Sequence, residues 1–383
     1  MACVNRHETF MQLALAEARK GLGRTSPNPA VGAVIVRDGT VLGCGFHRKA
    51  GTPHAEVNAL ADARANGHDT RGATMYVTLE PCNHQGRTPP CTQAILAAGI
   101  TEVFIATRDP NTQVAGGGAG FLGRHGVAVH LDLCGLEGRK LIASFVKHNR
   151  SALPWVLMKA GMSLDGKISR QIGQGGAITG PASSAYVHQL RNQLDAILIG
   201  VGTALIDDPS LNTRLPEGGE GDSRDPVRVV LDSSLRLPPE CRMLRQQSTS
   251  RTWIFCGEKA DPAKEKALVQ AGARVSRVAA SDTAGLDLKQ VLQHLGQADI
   301  ASLLVEGGAQ VHASFLGKGL VDEVSLLFAP YFIGATGTPL LHGYNCMLPA
   351  EPPSLCHTST ERLGSDVLVH GYFTDPDALF PAP

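Results

Sequence analysis

The sequence predicts an α/β protein of two domains, each with a sheet covered by helices. Its 383 residues exceed what one ordinary core holds, since domains run to roughly 100–200 residues. Short apolar runs typical of strands alternate with amphipathic stretches typical of helices throughout the chain. This alternation breaks around residues 146–155, where polar residues and Pro154 precede a new strand. We therefore expect a first domain over residues 1–148 and a second over residues 149–383.

The first domain is expected to open with a helix, because apolar residues from Phe10 to Ala18 share one helical face and Gly21 ends it. Asp38 and Gly39 predict a tight hairpin turn between two strands. The further elements predicted here are a helix over about 54–66, a strand over 73–79, a helix over 89–99, and strands over 103–107 and 127–133.

The second domain repeats the alternation of strands and helices without repeating a motif of the first. The predicted strands cover 155–162, 196–200, 227–232, 252–256, 302–308 and 323–330, and the predicted helices lie near 181–193, 261–271 and 309–318.

Composition and charge narrow the classes of partner. Lys plus Arg equals Asp plus Glu at 35 each, so no global field attracts a polyanion and we expect no nucleic-acid partner. The longest apolar stretch, residues 195–206, carries an acid and two glycines and is far short of the roughly 20 apolar residues of a membrane span. We therefore expect no membrane partner.

Cysteine usage and the N-terminal pattern predict a cytoplasmic protein. The nine cysteines are odd in number and scattered, which fits reduced thiols better than a disulfide framework. Residues 1–21 contain acidic residues and an amphipathic pattern in place of a continuous apolar run.

His54, Cys82 and Cys91 form a candidate zinc-ligand set, with Glu56 two residues after the histidine. Imidazole and thiolates suit zinc, and three protein ligands leave its fourth position open for water. Zinc lowers the pKa of bound water from about 15.7 to about 7, which at about 1.36 kcal/mol per unit is roughly 12 kcal/mol toward hydroxide. Glu56 is then a candidate proton shuttle. A structural site with His84 as fourth ligand is the alternative.

The local geometry requires special positions for these residues. Two residues apart on a regular helix, His54 and Glu56 would point about 200° from each other. They converge only if His54 precedes the regular helix, a placement that Pro53 favours. Prolines before Cys82 and Cys91 likewise predict helix starts, whose positive dipole end stabilises thiolates.

The sequence HAE, followed by PC and a second Cys, resembles the zinc-dependent cytidine-type deaminases. Their usual gap between the cysteines is two residues, and here it is eight, filled by NHQGRTPP. With SPNPAVGAVIV, AGTPHAEV and DPNTQVAGGG, this segment resembles the bifunctional riboflavin-biosynthesis family. That family fuses a diaminohydroxyphosphoribosylaminopyrimidine deaminase to a 5-amino-6-(5-phosphoribosylamino)uracil reductase. The match continues through KAGMSLDGKI, ITG, DDPSLNTR, VVLDSS and LLVEGGAQVHASFL, over nearly the whole chain.

The resemblance implies a cytidine-deaminase-like three-layer αβα domain followed by a dihydrofolate-reductase-like αβα domain. It also implies one Zn2+ per chain, NADPH or NADP+, a small phosphoribosylaminopyrimidine substrate, and a homo-oligomer, either dimer or tetramer. For the deaminase it implies substrate contacts, with Asn28 and His47 near the base or the zinc. The remaining residues of that set are His84, Arg87, Asp109 and Asn111. Ordinary polar roles for His47, His84 and Arg87 stay open.

For the reductase, the resemblance assigns two groups of residues. Lys159 is a candidate for orienting the ribose carbonyl, although a plain strand-end lysine stays open. The substrate group is Lys159, Gly175, Arg191, Leu211, Arg214 and Glu306, and the cofactor group is Gly161, Ala177, Thr203, Asp207, Ser233, Gly308, Ala309 and Gln310. Where the family commonly has Ser and Trp before IT, this chain has GQGGAITG, so Gly175 and Ala177 replace side chains that contact substrate and cofactor.

A literal GxGxxG occurs at residues 118–123, but we interpret it as a loop entering a helix of the deaminase domain. The dinucleotide fingerprint requires its first glycine directly after a strand, and here ten residues intervene after Thr107. Two rival functions remain at this point. One is a nucleic-acid base deaminase, which the zero net charge disfavours. The other assigns only deamination to the chain and makes its C-terminal part a structural or oligomerisation domain.

Overall fold

The computed structural model describes residues 6–84, 89–110, 117–215, 223–281, 285–344 and 352–380. Two compact units make up the chain, Met1–Val146 with Pro376–Pro383 and Lys147–Asp375. The C-terminal residues group with the first unit, whereas the sequence analysis placed them in the second domain. The reason is local: Asp377 forms an ion pair with Arg139, and Leu379 and Phe380 pack on the core of the first unit.

The first unit has five helices and five strands among the described residues. The helices are α1 (Arg6–Arg19), α2 (Ala55–Ala65), α3 (Cys91–Ala97), α4 (Gly118–Arg124) and α5 (Gly135–Ser151). The strands are β1 (Gly32–Arg37), β2 (Thr40–Phe46), β3 (Thr74–Leu79), β4 (Glu102–Thr107) and β5 (Ala128–Leu131).

These strands form one sheet in the order β2-β1-β3-β4-β5. β1 is antiparallel to both of its neighbours, and β3, β4 and β5 run parallel. Alternate residues of the strands build two cores, because successive side chains of a strand point to opposite faces. One core packs against α2, α3 and α4, and the other against α1 and α5. The result is the three-layer arrangement expected.

The predicted hairpin is confirmed. Asp38 and Gly39 have φ values of 51° and 79°, the left-handed conformations that the turn requires. The two units divide after Val146, at the start of the polar stretch 146–155, although α5 itself continues through Ser151. Residues 147–151 form the last turn of this helix, and Lys147 forms an ion pair with the buried Asp322.

The second unit contains a nine-stranded sheet. Its strands are β6 (Trp155–Ser163), β7 (Ala196–Gly200), β8 (Val227–Leu231), β9 (Thr252–Gly257), β10 (Arg274–Val278), β11 (Ser302–Gly307), β12 (Glu323–Ala329), β13 (Cys356–Leu363) and β14 (Asp366–Tyr372). Its helices are α6 (Pro181–Gln193), α7 (Val201–Asp207), α8 (Arg242–Arg245), α9 (Pro262–Gln270), α10 (Leu288–Gly296) and α11 (Ala309–Gly317).

The strand order is β10-β9-β8-β7-β11-β6-β12-β14-β13. The first seven strands of this order are parallel, β14 is antiparallel to β12, and β13 is antiparallel to β14. The chain moves outward from β6 to β10 and then returns to insert β11 between β7 and β6. Such a switch point opens a crevice at the carboxyl ends of the strands. No helix in the described part of the chain is both long and apolar enough to cross a bilayer.

Candidate active sites

Three side chains converge in the first unit as the spacing predicted. His54 Nδ1 lies 3.5 Å from Cys82 Sγ and 3.3 Å from Cys91 Sγ. All three ligand atoms lie within 4.8 Å of one another. Zinc binds imidazole nitrogen at about 2.0–2.1 Å and thiolate sulfur at about 2.3 Å, so a nitrogen and a sulfur on one tetrahedral zinc are about 3.6 Å apart. The observed N–S distances are close to this value, so the donor set fits the metal.

Two of the three ligands are placed by helix starts. His54 is the N-cap of α2 with extended backbone, and Glu56 lies in the first turn, which confirms the geometry needed for both to converge. Cys91 is the first residue of α3, after Pro90. The prediction for Cys82 is wrong, because it lies in the loop after β3. The Cys91 amide nevertheless donates to Cys82 Sγ at 3.4 Å, so the start of α3 still stabilises that sulfur.

The fourth position is not supplied by His84. That histidine is exposed and is not part of the ligand group found among the described residues. The four-ligand structural alternative therefore loses its proposed ligand.

Glu56 is buried beside the ligands, with 3% exposure. Burial raises the pKa of this carboxyl, and the nearby Cys82 raises it further. A carboxyl group with a raised pKa holds and releases a proton more readily near neutrality, which suits a proton shuttle.

The two thiols are electrostatically unequal. A hydrogen bond from Cys91 lowers the pKa of Cys82, and a second one from His54 lowers it further. Burial opposes both, and the resulting pKa is about 4. The pKa of Cys91 is raised by that same hydrogen bond and by burial. The pair thus retains one proton, on Cys91, which a metal would displace.

Asn28 and His47 form a small network next to this centre. The His47 ring lies edge-on to that of His54, with centroids 5.3 Å apart. His47 Nδ1 donates to the Pro53 carbonyl at 3.2 Å, and its Nε2 then accepts from Asn28 Nδ2 at 3.3 Å. Burial lowers the pKa of His47, which keeps the ring neutral in this arrangement.

The Gly-rich segment has a packing role that the sequence analysis missed. α4 begins at the first glycine of the motif, Gly118, so the interpretation as a loop is wrong there. A Cβ at Gly118 would lie 1.9 Å from the Pro81 carbonyl oxygen. Glu80, also not predicted, accepts from the Ala119 amide at 2.9 Å and from the Asp109 amide at 3.4 Å. Glycine and Glu80 together pack α4 against the loop that carries Cys82.

The remaining predicted deaminase residues divide between described and undescribed chain. Asp109 follows β4 and is half-buried, on the same side as Glu80. Arg87 and Asn111 lie outside the described residues.

Charged residues of the second unit meet where β6 and β11 stop pairing. Arg191 donates twice to Glu306, from Nε at 2.9 Å and from a terminal nitrogen at 2.8 Å. Lys159 Nζ lies 4.0 Å from the same carboxylate. The β7–β11 register shifts between Val305 and Gly307, so Glu306 occupies a bulge, a feature that re-aims side chains.

Burial and the neighbouring charges together set the charge state of this cluster. Burial alone would raise the pKa of Glu306, but Arg191 and Lys159 lower it to about 2. Burial lowers the pKa of Lys159, and Glu306 opposes that shift. Lys159 is therefore a more acidic amine than an exposed lysine, held beside an ionised carboxylate.

A segment containing Leu211 and Arg214 is fastened to α6. Arg191 donates to the Asn212 carbonyl at 3.2 Å, and the Arg214 amide donates to His188 Nδ1 at 3.1 Å. Leu211 is buried and has a φ of 51°, an uncommon conformation for a leucine. His188, which the sequence did not predict, thus supports the predicted substrate residue Arg214 through both ring nitrogens.

The predicted cofactor residues follow the carboxyl ends of adjacent strands. Thr203 lies in α7 directly after β7, and Gly308 precedes α11 directly after β11. A Cβ at Gly308 would lie 3.0 Å from Thr203 Oγ1, and its φ of 80° also favours glycine. The others on this edge are Gly161 in β6, Ser233 after β8, and Ala309 and Gln310 at the start of α11.

The departure from the family pattern has a local explanation at Gly175. A Cβ there would lie 1.6 Å from Asp207 Oδ1, so the missing side chain makes room for that carboxylate. Ala177 is exposed and supplies no aromatic surface.

Family models match both units. The cytidine and deoxycytidylate deaminase zinc-binding region matches residues 4–107, and the RibD C-terminal domain matches residues 154–369.

Known proteins match nearly the whole chain. The riboflavin biosynthesis protein RibD of Bacillus amyloliquefaciens is 39% identical over 361 residues, 94% of each chain. That of Escherichia coli is 38% identical over 376 residues, covering 95% of this chain and 98% of its own. Two solved structures are similar over 96% of this chain and 98% of their own. They are a diaminohydroxyphosphoribosylaminopyrimidine deaminase/5-amino-6-(5-phosphoribosylamino)uracil reductase from Thermotoga maritima, with TM-score 0.80 and 37% identity, and Acinetobacter baumannii RibD, with TM-score 0.79 and 34% identity.

Proposed function

The chain belongs to the RibD family of riboflavin biosynthesis proteins, and from that membership we propose which of its residues carry each reaction. It is a bifunctional enzyme with a zinc-dependent deaminase domain and an NADPH-dependent reductase domain. We assign deamination to residues 1–148 and reduction to residues 149–383. The alternative of a purely structural C-terminal domain is superseded, because the reductase-type family model covers residues 154–369.

The substrate we propose is 2,5-diamino-6-(5-phosphoribosylamino)pyrimidin-4-one. Hydrolytic deamination gives 5-amino-6-(5-phosphoribosylamino)uracil, and NADPH then reduces the ribosyl side chain to a ribityl chain. The observation that carries this proposal is the convergence of His54, Cys82 and Cys91 beside buried Glu56, in one chain with a reductase domain.

In the deaminase, His54, Cys82 and Cys91 would hold the zinc. When bound by three ligands, zinc supplies a Lewis acid and acidifies a water molecule. Glu56 takes a proton from the attacking water and delivers it to the departing amino group. The buried position of Glu56 supports this role, because the proton that it carries between water and the amino group is shielded from bulk solvent. Removing the proton relay costs such enzymes roughly 10²–10⁴-fold in rate.

The deaminase substrate pocket is assigned to Asn28, His47, His84, Arg87, Asp109 and Asn111. The Asn28–His47 hydrogen bond beside the His54 ring supports placing these two residues next to the pyrimidine ring. Arg87 offers a planar fork of donors that suits the phosphate of the substrate.

In the reductase, Lys159 orients the ribose carbonyl for hydride transfer. Its low-pKa ammonium makes it a good hydrogen-bond donor to that oxygen, and Glu306 fixes its position. Arg191 directs three of its five N–H donors to Glu306 and Asn212, and the other two, which have no partner among the described residues, are assigned to the phosphosugar. Leu211, Arg214 and Gly175 complete the proposed substrate contacts. Positioning carries the rate of this step, because the reaction needs no covalent intermediate.

NADPH is assigned to the carboxyl edge of β6, β7, β8 and β11. The proposed contacts are Gly161, Ala177, Thr203, Asp207, Ser233, Gly308, Ala309 and Gln310. Gly308 and the start of α11 present backbone N–H groups, which suit a phosphate.

We further propose a cytoplasmic homo-oligomer, either dimer or tetramer. The two thiol ligands favour a reducing compartment. Large apolar side chains are exposed on two loops of the second unit, Ile172 at 71% and Phe332 at 75%, and the Ile172 amide donates to the Thr336 carbonyl of the other loop. This exposure favours burial in a subunit contact. Light scattering of the purified chain would give a mass above that of the monomer, and a monomeric mass would contradict the proposal.

A coupled assay tests the bifunctional assignment. The phosphoribosylated diaminopyrimidine is supplied with NADPH, and ammonia release and NADPH oxidation are followed separately. We expect ammonia release without NADPH, and NADPH oxidation only after ammonia appears. NADPH oxidation without prior ammonia release would contradict the order, and release of ammonia without any NADPH oxidation would contradict the reductase.

A further inference from the structure

Cys356, His357 and Asp375 form a second cluster of metal-ligand residues, within the second unit. One ligand atom of each lies within 4.8 Å of the others. Cys356 pairs with Tyr372, which in turn pairs with Glu323, the first residue of β12. The cluster therefore lies beyond the amino end of β12, whereas the proposed reductase residues follow the carboxyl ends of the parallel strands.

A β-bulge is what brings two successive residues of β13 together. Side chains at successive strand positions normally point to opposite faces, so Cys356 and His357 would diverge. Between the pairs Cys356–Tyr372 and Ser359–His370, β13 contains one residue more than β14. The extra residue distorts the strand, and His357 takes a φ of 47°, an uncommon conformation for a residue with a side chain. Such outliers concentrate at functional positions.

The polar atoms already have the spacing of a ligand set. His357 Nε2 lies 2.9 Å from Asp375 Oδ1, and the Cys356 thiol donates to the Tyr372 carbonyl at 3.3 Å. Two N or O ligands 2.0–2.1 Å from a tetrahedral metal would be about 3.4 Å apart, so a metal requires a shift of about half an ångström. The side chains of His357 and Asp375 are 26% and 44% exposed, which leaves solvent free to reach the site.

We propose that Cys356, His357 and Asp375 bind a second divalent metal of the zinc class, with water as the fourth ligand. A thiolate and a carboxylate balance the two positive charges, and neutral imidazole is the third donor. Binding displaces the thiol proton of Cys356 and any proton shared by His357 and Asp375. The metal fastens the first residues of the edge strand β13 to the chain that follows β14, so its role is structural.

Cobalt titration of the full-length apoprotein tests the proposal, because thiolate ligation of Co2+ gives an intense charge-transfer absorption. We expect two equivalents bound per chain in the wild type and one in His357→Ala. Ser359→Ala, an exposed position on the same strand, is the matched control and should bind two. His54→Ala should bind one equivalent, through the Cys356 cluster, and His54→Ala/His357→Ala should bind none.

This set of variants separates the two sites. If His54→Ala binds no metal, or if His357→Ala binds as many equivalents as the wild type, the cluster is an ion pair only and the second site is overturned. If His54→Ala binds one equivalent instead of two, the lost metal belongs to the first unit, and both the second site and the deaminase assignment are supported. Cys356→Ser is a second test that preserves size, and it should lower the charge-transfer absorption of the His54→Ala background to near zero. Unchanged absorption in that background would also overturn the proposal.

Discussion

The proposed metal centre of the first unit joins His54 to two cysteines that follow it by 28 and 37 positions. The charged cluster of the second unit joins Arg191 to Glu306 across 115 positions. The first is built from side chains on two helix starts and one loop. The second is spread along the carboxyl edge of a sheet, and much of its proposed ligand surface is backbone. Most residues of both clusters are half-buried, and the imidazole and thiol donors of the first have a chemical preference for metals such as zinc.

This difference explains why one chain can hold two reactions with separate requirements. Metal chemistry needs particular residue types at particular distances, so substitutions at His54, Cys82 or Cys91 are expected to be intolerable. Cofactor binding that relies on backbone groups and shape tolerates departures from the family pattern. One is the glycine at position 175, where the Asp207 carboxylate occupies the space of the missing side chain. Variants that affect one site and spare the other are therefore the sharpest tests.

The largest effect is expected for Glu56→Gln. Loss of the proton relay should slow ammonia release by roughly 10²–10⁴-fold, because an amide cannot accept a proton and release it again near neutral pH. Zinc content should stay at the wild-type level, since the proposed ligands are His54, Cys82 and Cys91. NADPH oxidation with the deaminated intermediate is the internal control and should be unchanged. Zinc loss in this variant would mean that Glu56 coordinates the metal.

Glu306→Gln is expected to damage the second site through stability as well as activity. It leaves Arg191 and Lys159 without their shared anion, and removing one partner of a buried ion pair costs about 3–5 kcal/mol. Urea denaturation would measure the loss, with ammonia release by the folded variant as the control. A change in the free energy of unfolding below about 1 kcal/mol would contradict a buried, coupled cluster.

The same variant has a defined pH dependence. The folded pKa of Glu306, about 2, is below its ordinary value of 4.5, so its stabilising contribution is complete above pH 4.5 and is lost as the pH falls toward 2. The difference in unfolding free energy between the wild type and Glu306→Gln should therefore shrink over that interval. A difference that stays constant from pH 5 downward would show that Glu306 is not the titrating group.

Two glycines of α4 give a matched pair with a smaller effect. Gly118→Ala places a Cβ 1.9 Å from the Pro81 carbonyl oxygen and should cost about 1–3 kcal/mol of stability and speed the release of zinc. Gly123→Ala, where the added Cβ meets nothing within 4 Å, should stabilise the helix by roughly 0.5–1 kcal/mol. Equal effects of the two substitutions would refute the packing role of Gly118.

The smallest effect is expected for Ala177→Trp. An aromatic side chain at this exposed position should add about 0.5–1.5 kcal/mol of stacking, lowering the KM for NADPH by up to about tenfold. Gly175→Ala is the contrasting variant, and it should raise that KM because the new Cβ displaces the Asp207 carboxylate. An unchanged KM in Ala177→Trp would place the cofactor away from this loop.

The sequence predicted those features that local patterns determine. Apolar periodicity placed α6 at residues 181–193, and spacing placed His54 before α2. The predictions left out the edge strand β13, which is mostly exposed and carries no alternation of apolar residues. They also left out α10 and β14, although both carry a clear apolar pattern. Glu80 and His188 could not be predicted, because each acts through a backbone amide that only the folded chain brings near.

Separate assays of the two reactions in Cys91→Ser test most directly the claim that one chain holds two independent centres. Removing this ligand should abolish ammonia release from the diaminopyrimidine, while the rate of NADPH oxidation with the deaminated intermediate stays within twofold of wild type. Ammonia release at the wild-type rate would contradict the proposed metal centre. Loss of both rates in a variant that remains folded would contradict the independence of the two sites.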